Sequence, residues 1–331
     1  MDVGGVVMSD PRFTPITGTE MPRYAGAATL MRLPQVLPGT PDWNDVQIGL
    51  FGVPWDGGTT NRPGARQGPR QVRDASTMVR NVNRASGINP FALCRCADLG
   101  DTPVNPADLA DSMTRIERFA GEVCVSGILP LFVGGDHLST LPVMRAVSRR
   151  FGPLGMVHID AHTDTWDSYF GGQKYTHGTP FRRAIEEGIL DPKRTVQIGI
   201  RGALYADGDD GWGREQGIRV IDFDEYRTLG VERVLREAHA VVGSAPTYIS
   251  FDIDALDPAY APGTGTPEIG GMTTHEAQLL VRGLDGINCV GADVVEVSPP
   301  FDLSGNTALA AATLLFEILC VAASGIARVK S

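Results

Sequence analysis

Residues 156–164 read MVHIDAHTD, and this stretch decides how the rest of the chain is interpreted. Its apolar first half has strand character and runs directly into Asp160, His162 and Asp164. Side chains two residues apart in an extended chain point the same way, so the three could face one point beyond a strand end. Open α/β sheets bind their ligands in the crevice at that end. A turn rich in Asp and Thr is the alternative interpretation of the motif taken alone.

Two further apolar segments end in side chains of the same kind. Residues 128–137, ILPLFVGGDH, lead to His137, and residues 247–254, TYISFDID, end in two aspartates. Packing alone does not readily explain three strand ends that all carry metal-type ligands. The sequence therefore predicts one metal site formed by His137, Asp160, His162, Asp164, Asp252 and Asp254.

The predicted ligand set indicates two metal ions. Six protein ligands exceed what one ion of ordinary coordination takes, whereas two ions that share carboxylates use them well. Four aspartates make a hard, oxygen-rich site, which suits Mn²⁺ better than Zn²⁺ or Cu²⁺. Two-metal sites hold their ions ~3.5–4 Å apart and lower the pKa of a bound water, which is typical of hydrolases.

Strand and helix patterns alternate from residue 46 onwards, and this alternation predicts a mainly parallel sheet with helices on both faces. No repeat or linker interrupts it. We interpret residues 1–45 as an N-terminal arm that lies on the body or on a neighbouring subunit, and residues 46–331 as one catalytic domain. A final apolar helix is expected at 307–323. The predicted strands are 46–53, 92–99, 129–133, 155–160, 196–200, 219–221, 247–251 and 289–297.

The bulk properties restrict the class of protein. The chain has 331 residues and a net charge of −10, with no basic cluster that would favour nucleic acid. Residues 1–21 lack the apolar segment of a signal peptide, and no run approaches the roughly 18 apolar residues of a membrane helix. The five cysteines mostly lie in apolar segments, so we interpret them as buried thiols. These properties predict a cytoplasmic protein that binds neither nucleic acid nor a membrane.

Taken together, the motifs resemble those of the ureohydrolase family of arginases and agmatinases. The resemblance extends from about residue 46 to about residue 323. It implies a three-layer α/β/α domain around an eight-stranded sheet, and a homo-oligomer, either a trimer or a hexamer. The motifs that carry it are GVPWDGGTTNRPGAR (52–66), GGDH (134–137), DAHTD (160–164), SFDIDALDP (250–258) and EVSPPFD (296–302).

The resemblance also implies roles for the predicted ligands. Family members hold two Mn²⁺ ions, so two Mn²⁺ per chain are expected here, with Asp160 and Asp252 as bridging ligands. The residues that match the ligands of one ion are His137, Asp160, Asp164 and Asp252. The residues that match the ligands of the other ion are Asp160, His162, Asp252 and Asp254.

Two further residues match catalytic groups of the family. His177 matches a loop histidine proposed to shuttle protons, and Glu296 matches the glutamate that pairs with the guanidinium group. The chemistry suits both, because an amine leaves only when protonated and a carboxylate can face a planar cation. The alternatives are that His177 caps the helix that follows it, and that Glu296 is an ordinary charge at a strand end.

The expected substrate follows from residues 166–175, WDSYFGGQKY. This loop lacks the asparagines with which arginases hold an amino acid, and it resembles guanidinopropionase-type members most. We therefore predict that the enzyme releases urea from a short unbranched guanidino compound, either a guanidino acid such as 3-guanidinopropionate or 4-guanidinobutyrate, or agmatine. Trp166, Tyr169 and Glu296 are expected to bind it. The alternatives are an agmatinase proper and a non-catalytic metal-binding homologue.

Overall fold

The fold is built on one sheet of eight parallel strands in the order β2-β1-β3-β8-β7-β4-β5-β6. The structure, a computed structural model, describes residues 10–330. The interpretation of residues 1–21 as lacking a signal peptide therefore falls partly outside the described residues. The strands are β1 (Ile48–Gly52), β2 (Cys96–Asp101), β3 (Leu129–Val133), β4 (Leu154–Ile159), β5 (Leu190–Ile200), β6 (Arg219–Asp222), β7 (Thr247–Asp252) and β8 (Cys289–Val295).

Helices cover both faces of this sheet, which confirms the predicted three-layer α/β/α fold. The helix Thr274–Gly283 begins with a capping box in which Thr273 and Glu276 bond each other's backbone. The helices are α1 (Gly68–Ala75), α2 (Pro90–Leu93), α3 (Leu109–Val125), α4 (Thr140–Phe151), α5 (Pro180–Glu186), α6 (Gly211–Gln216), α7 (Phe223–Leu229), α8 (Val231–Val242), α9 (Thr274–Gly283) and α10 (Asn306–Lys330).

The sheet separates two hydrophobic cores. In β3, Leu131 and Val133 belong to the core that includes side chains of α1 and α7 to α10, whereas Phe132 between them belongs to the core formed with α3, α4 and α5. This period of two is the alternation that a strand imposes on its side chains. Four of the five free cysteines are buried in these cores, as predicted, and Cys289 is half-buried.

The last helix is longer than the sequence pattern indicates. Asn306–Val329 is the single helical stretch in the described part of the chain that is long and apolar enough to cross a membrane by length and composition. The expectation that no run approaches this limit was therefore wrong. However, 67% of its most apolar window is buried inside the protein, where α10 packs against α1 and α9. Burial in the core accounts for its composition.

The N-terminal segment packs against the body of the protein. Leu30 and Met31 are buried, and the Leu30 N–H donates to the Asp98 carboxylate over 2.7 Å. The same carboxylate accepts hydrogen bonds from the buried guanidinium of Arg73, over 2.8 and 3.1 Å. A buried ion pair thus holds this segment against β2, at one edge of the sheet.

Candidate active site

The predicted site residues lie at the carboxyl ends of four strands that are neighbours in the sheet. The strands are β3, β8, β7 and β4, which occupy its centre in that order. Because parallel strands all end at the same edge, side chains from distant parts of the sequence meet there. His137 follows β3, Glu296 follows β8, Asp252 ends β7, and Asp160 follows β4.

His137 faces three carboxylates. Its Nδ1 lies 3.1 Å from Asp160, 2.9 Å from Asp164 and 3.1 Å from Asp252. This nitrogen is buried and has no hydrogen-bond partner. A buried imidazole nitrogen that three carboxylate oxygens approach this closely is an arrangement that a divalent cation would satisfy.

A hydrogen-bonded chain fixes the tautomer of His137. Its Nε2 lies 2.9 Å from the Ser250 hydroxyl, and that hydroxyl donates to Asp293 over 2.7 Å. Asp293 also accepts hydrogen bonds from Tyr248 and Thr140, each over 2.9 Å. Since Ser250 gives its one proton to Asp293, His137 must carry its own proton on Nε2. In the neutral ring, Nδ1 is therefore left with a free lone pair, as a metal ligand requires.

A second group forms around His162. Its Nδ1 lies 3.1 Å from Asp254 and 3.4 Å from Asp160. Asp160 thus contacts both histidines, one through each carboxylate oxygen. Asp252 lies between the groups, since one of its oxygens faces His137 and the other accepts the Asp254 N–H over 2.8 Å. The structure brings all six predicted ligands together, with Asp160 and Asp252 in the central positions.

The local backbone differs from the extended chain that the alternation suggested. Strand β4 ends at Ile159, and the residues after it form bends in which Asp160 accepts the His162 N–H over 2.6 Å. Asp164 adopts a left-handed conformation, with φ 52°. The side chains converge through a turn because short Asp side chains bond the backbone two residues on. The Asp-rich turn and the ligand set are therefore the same feature.

His158 supports Asp160 from behind. Its Nε2 lies 2.7 Å from Asp160, and its Nδ1 lies 3.0 Å from the side-chain amide of Gln197. The same amide nitrogen donates to the carbonyl of Thr163, so it is the donor to His158 as well. His158 therefore carries its proton on Nε2 and donates it to Asp160. Its side chain orients a predicted ligand, although it also lies close enough to the cluster to be a ligand itself.

The electrostatics of the cluster fit bound cations. Burial raises the pKa of Asp252 well above its usual range, and the charges of Asp254 and Asp160 raise it further. Burial and the neighbouring Asp160 likewise raise the pKa of Asp254 to about 6. Carboxylates crowded in a buried site repel one another unless positive charge compensates them. Two divalent ions would supply that charge, so the residues present fit the predicted group.

His177 lies beside this cluster and contacts Glu296. Its Nδ1 is 2.8 Å from Glu296 Oε1, and its Nε2 is 2.7 Å from the Thr60 hydroxyl. Burial disfavours the charged ring, but the negative charges of Glu296, Asp136 and Asp164 outweigh it and raise the pKa of His177 to about 9. The cap of α5 is Thr179, so the imidazole does not serve as a helix cap.

Glu296 is held in an unusual position. It is 1% exposed and has φ 65°, a left-handed conformation that few residues other than glycine adopt. Its Oε1 accepts hydrogen bonds from the backbone of His137 and from the His177 ring, both over 2.8 Å. Its Oε2 is buried and has no partner. An ordinary charge at a strand end would lie in solvent, so that alternative does not fit.

Four of the six predicted ligands, His162, Asp164, Asp252 and Asp254, line one pocket of about 620 Å³ together with His177 and Glu296. Trp166 and Tyr169 line it, as the sequence predicts, and their rings are 5.9 Å apart. Several other lining residues had no predicted role, although Thr60, Asn61 and Arg62 belong to the motif at 52–66 and Phe170 to the loop at 166–175. These residues are Thr60, Asn61, Arg62, Phe170, Tyr205 and Glu268.

Comparison with known proteins agrees with the fold and the motifs. The sequence profile of the arginase family matches residues 46–321, and the chain belongs to the arginase family. A guanidinopropionase from Pseudomonas aeruginosa is 61% identical over 97% of this chain and 99% of its own length. A guanidinobutyrase from the same organism is 48% identical over 93% of this chain and 96% of its own length. The structure of proclavaminate amidino hydrolase from Streptomyces clavuligerus matches with a TM-score of 0.87 and 40% identity, covering 92% of this chain and 99% of that one.

Proposed function

We propose that this arginase-family hydrolase releases urea from a short, unbranched guanidino acid, such as 3-guanidinopropionate or 4-guanidinobutyrate. One observation carries the proposal. Glu296, whose buried Oε2 has no partner, lines the same pocket as His162, Asp164, Asp252 and Asp254. A buried carboxylate oxygen without a partner needs a donor, and a guanidinium group offers N–H donors together with the opposite charge. The names of the relatives with 61% and 48% identity support the same substrate class.

Two Mn²⁺ ions per chain are the cofactor we propose, on the chemistry of the donors. Four carboxylates and two imidazoles suit Mn²⁺ better than softer ions. When bound, the two ions would lower the pKa of a water molecule and so supply the nucleophile. The ligands proposed for one ion are His137, Asp160, Asp164 and Asp252. The ligands proposed for the other are Asp160, His162, Asp252 and Asp254.

Glu296 and His177 have the two remaining roles in the proposed reaction, which are substrate orientation and proton supply. Glu296 pairs with the guanidinium group and orients its central carbon toward the metal cluster. His177 lies within hydrogen-bond distance of Glu296, and this contact supports a role for its proton near the nitrogen that must leave. Protonation of that nitrogen allows the C–N bond to break with its electron pair on the departing amine. In this proposal His177 supplies the proton.

The lining of the pocket favours a tail that ends in a carboxylate. Arg62 donates to the carbonyls of Thr264 and Gly265, and its guanidinium lies 4.2 Å from the ring centre of Phe301. These contacts hold a positive charge at the pocket wall, where it can attract an anionic tail.

Agmatine, which ends in a cation, remains the second candidate because one feature of the pocket favours it. Glu268 also lines the pocket, 3.7 Å from His162 Nε2, and its carboxylate would attract a positive tail. The preferred class of substrate therefore depends on whether Arg62 or Glu268 attracts the tail more strongly. An agmatinase proper would be the outcome if Glu268 dominates.

The remaining parts of the proposal concern the whole protein. We propose a cytoplasmic enzyme that acts as a homo-oligomer, either a trimer or a hexamer. Residues 1–45 would form an arm and residues 46–331 the catalytic domain. A non-catalytic metal-binding homologue remains the opposing hypothesis, and assay of the purified chain separates the two.

A substrate screen tests the proposed function directly. Urea release is measured with Mn²⁺ present for 3-guanidinopropionate, 4-guanidinobutyrate, agmatine and arginine. We expect a guanidino acid to be the best substrate and arginine to be at least about a hundredfold poorer in kcat/KM, because the loop at 166–175 lacks the asparagines with which arginases hold an amino acid and burial of unpaired charge is costly. Arginine within tenfold of the best substrate would contradict this interpretation of the pocket. No urea from any of the four would favour the non-catalytic homologue.

Tyr169 is expected to select the length of the tail. Its hydroxyl packs against the backbone at Gly178, where an added Cβ would lie 2.7 Å from it. The ring thus limits the depth of the pocket, and its hydroxyl can donate to a carboxylate. Tyr169→Met should shift the ratio of kcat/KM values toward the longer acid, because a flexible thioether leaves more room. Tyr175→Met in the same loop is the matched control, since Tyr175 does not line the pocket. An unchanged ranking in Tyr169→Met would place selection elsewhere.

A further inference from the structure

His177 takes part in a chain of three groups that ends in a hydroxyl. Glu296 Oε1 lies 2.8 Å from His177 Nδ1, and His177 Nε2 lies 2.7 Å from the Thr60 hydroxyl. The backbone N–H of Thr60 also points at Nε2, over 3.2 Å. Carboxylate, imidazole and hydroxyl are therefore arranged in series, and both ring nitrogens are engaged. Thr60 lines the pocket, so the chain ends where the substrate would lie.

The loop that carries Thr60 is fixed to the site at several points. The backbone N–H of His177 donates to the Gly58 carbonyl over 2.9 Å, and the Gly58 N–H donates to Asp136 over 2.6 Å. Asp56 accepts the Gly64 N–H over 2.7 Å and so closes the loop on itself. The contact between Thr60 and His177 is therefore part of a connected network and does not depend on one flexible side chain.

We propose that Thr60 is a catalytic residue that holds the His177 ring and relays its proton to the departing amine; the inference rests on the proposed function. A hydroxyl can donate to the neutral ring and accept from the protonated one, whereas the Thr60 N–H can bond Nε2 only in the neutral ring, so it is the hydroxyl contact that persists in both states. In the relay step, Nε2–H of His177 passes its proton to Thr60 Oγ1 while the Thr60 hydroxyl proton passes to the amine nitrogen. The C–N electron pair stays on that nitrogen. Thr60 is regenerated, and neutral His177 recovers a proton from solvent.

Three variants test the relay. Thr60→Val keeps the shape but removes the hydroxyl, and kcat should fall at least about tenfold, without reaching the 10²–10⁴-fold typical for loss of the acid itself. KM and metal content should stay near wild type, because Thr60 contacts neither Glu296 Oε2 nor a proposed ligand. Thr60→Ser should restore most of kcat. Thr59→Val is the matched control, since the neighbouring Thr59 hydroxyl is buried without any partner and its removal should change nothing.

A double variant distinguishes action through His177 from an independent effect. Thr60→Val added to His177→Ala should cost little more than His177→Ala alone, because groups that act as a unit are not additive. Equal fractional losses in both backgrounds, or wild-type kcat in Thr60→Val, would overturn the relay.

A spectroscopic measurement tests the relay independently of the proposed function. In ¹⁵N-histidine-labelled, metal-free protein, the Nε2 signal of His177 should shift in Thr60→Val and stay in place in Thr59→Val. An unshifted signal in Thr60→Val overturns the relay whether or not urea is released. Conversely, an active wild-type enzyme with an unshifted signal leaves the proposed function intact.

Discussion

Asp252→Asn is expected to remove both metal ions and to lower kcat/KM by more than about 100-fold. Substitution of groups that only support a ligand already costs 10–100-fold, and a bridging ligand should cost more. Asp252 is 2% exposed, with one oxygen 3.1 Å from His137 Nδ1 and the other bonded to the Asp254 backbone. A neutral amide cannot neutralise two cations from this position. Elemental analysis of the purified variant should find far less than the two Mn²⁺ per chain expected for the wild type at saturation.

The effect should be specific to the cluster. Asp222 ends β6 at the edge of the sheet and pairs with Arg214, so it is a strand-end aspartate that lies outside the cluster. Asp222→Asn should therefore retain both ions and most of the activity. Full activity of the wild type after exhaustive chelation would contradict the two-metal proposal, and so would an Asp252→Asn variant that keeps two ions.

The residues proposed as ligands could be anticipated from the sequence because each follows an apolar segment with strand character. His137 comes after ILPLFVGGD, and Asp252 follows TYISF without a break. Chain order did not show that β8 lies between β3 and β7, since pairing of distant strands depends on packing across the whole sheet. The contact between Glu296 and the His137 backbone is a consequence of that arrangement.

Local structure was harder to anticipate in segments that have no periodic pattern of hydrophobic residues. The pattern placed a strand at 92–99, whereas Pro90–Leu93 forms a short helix and β2 starts at Cys96. Asn89 explains the difference, because its side chain accepts the N–H groups of Phe91 and Ala92 and so caps a helix start. One capping residue is a weaker indication of secondary structure than the strand pattern of the apolar residues around it.

Loop contacts are the part of the site that the sequence does not encode in any readable spacing. Thr60 and His177 are 117 residues apart, yet they are hydrogen-bonded. The glycine-rich loop before Arg66 follows β1, while His177 lies in the segment before α5. Neither loop has a periodic pattern, so only the folded chain reveals that the two meet.

His177→Ala is expected to lower kcat by roughly 10²–10⁴-fold, the usual effect of removing a general acid or base. The ring lies 2.8 Å from Glu296, and its raised pKa of about 9 favours the protonated form at neutral pH. It makes no contact with the six proposed ligands among its hydrogen bonds, so both ions should remain bound. The measurement is steady-state kinetics with the best substrate, alongside metal analysis of the same preparation.

A control variant and imidazole rescue show whether His177→Ala loses activity through lost proton transfer or through lost structure. His275 lies exposed on α9, so His275→Ala controls for the loss of a histidine and should keep wild-type kcat. Added imidazole should restore part of the activity of His177→Ala if the cavity left by the ring admits it, because a diffusible imidazolium can then protonate the departing amine. Wild-type kcat in His177→Ala would refute the proposed role. Loss of metal from that variant would instead show that the ring maintains the cluster, and the proton for the amine would have to come from another group.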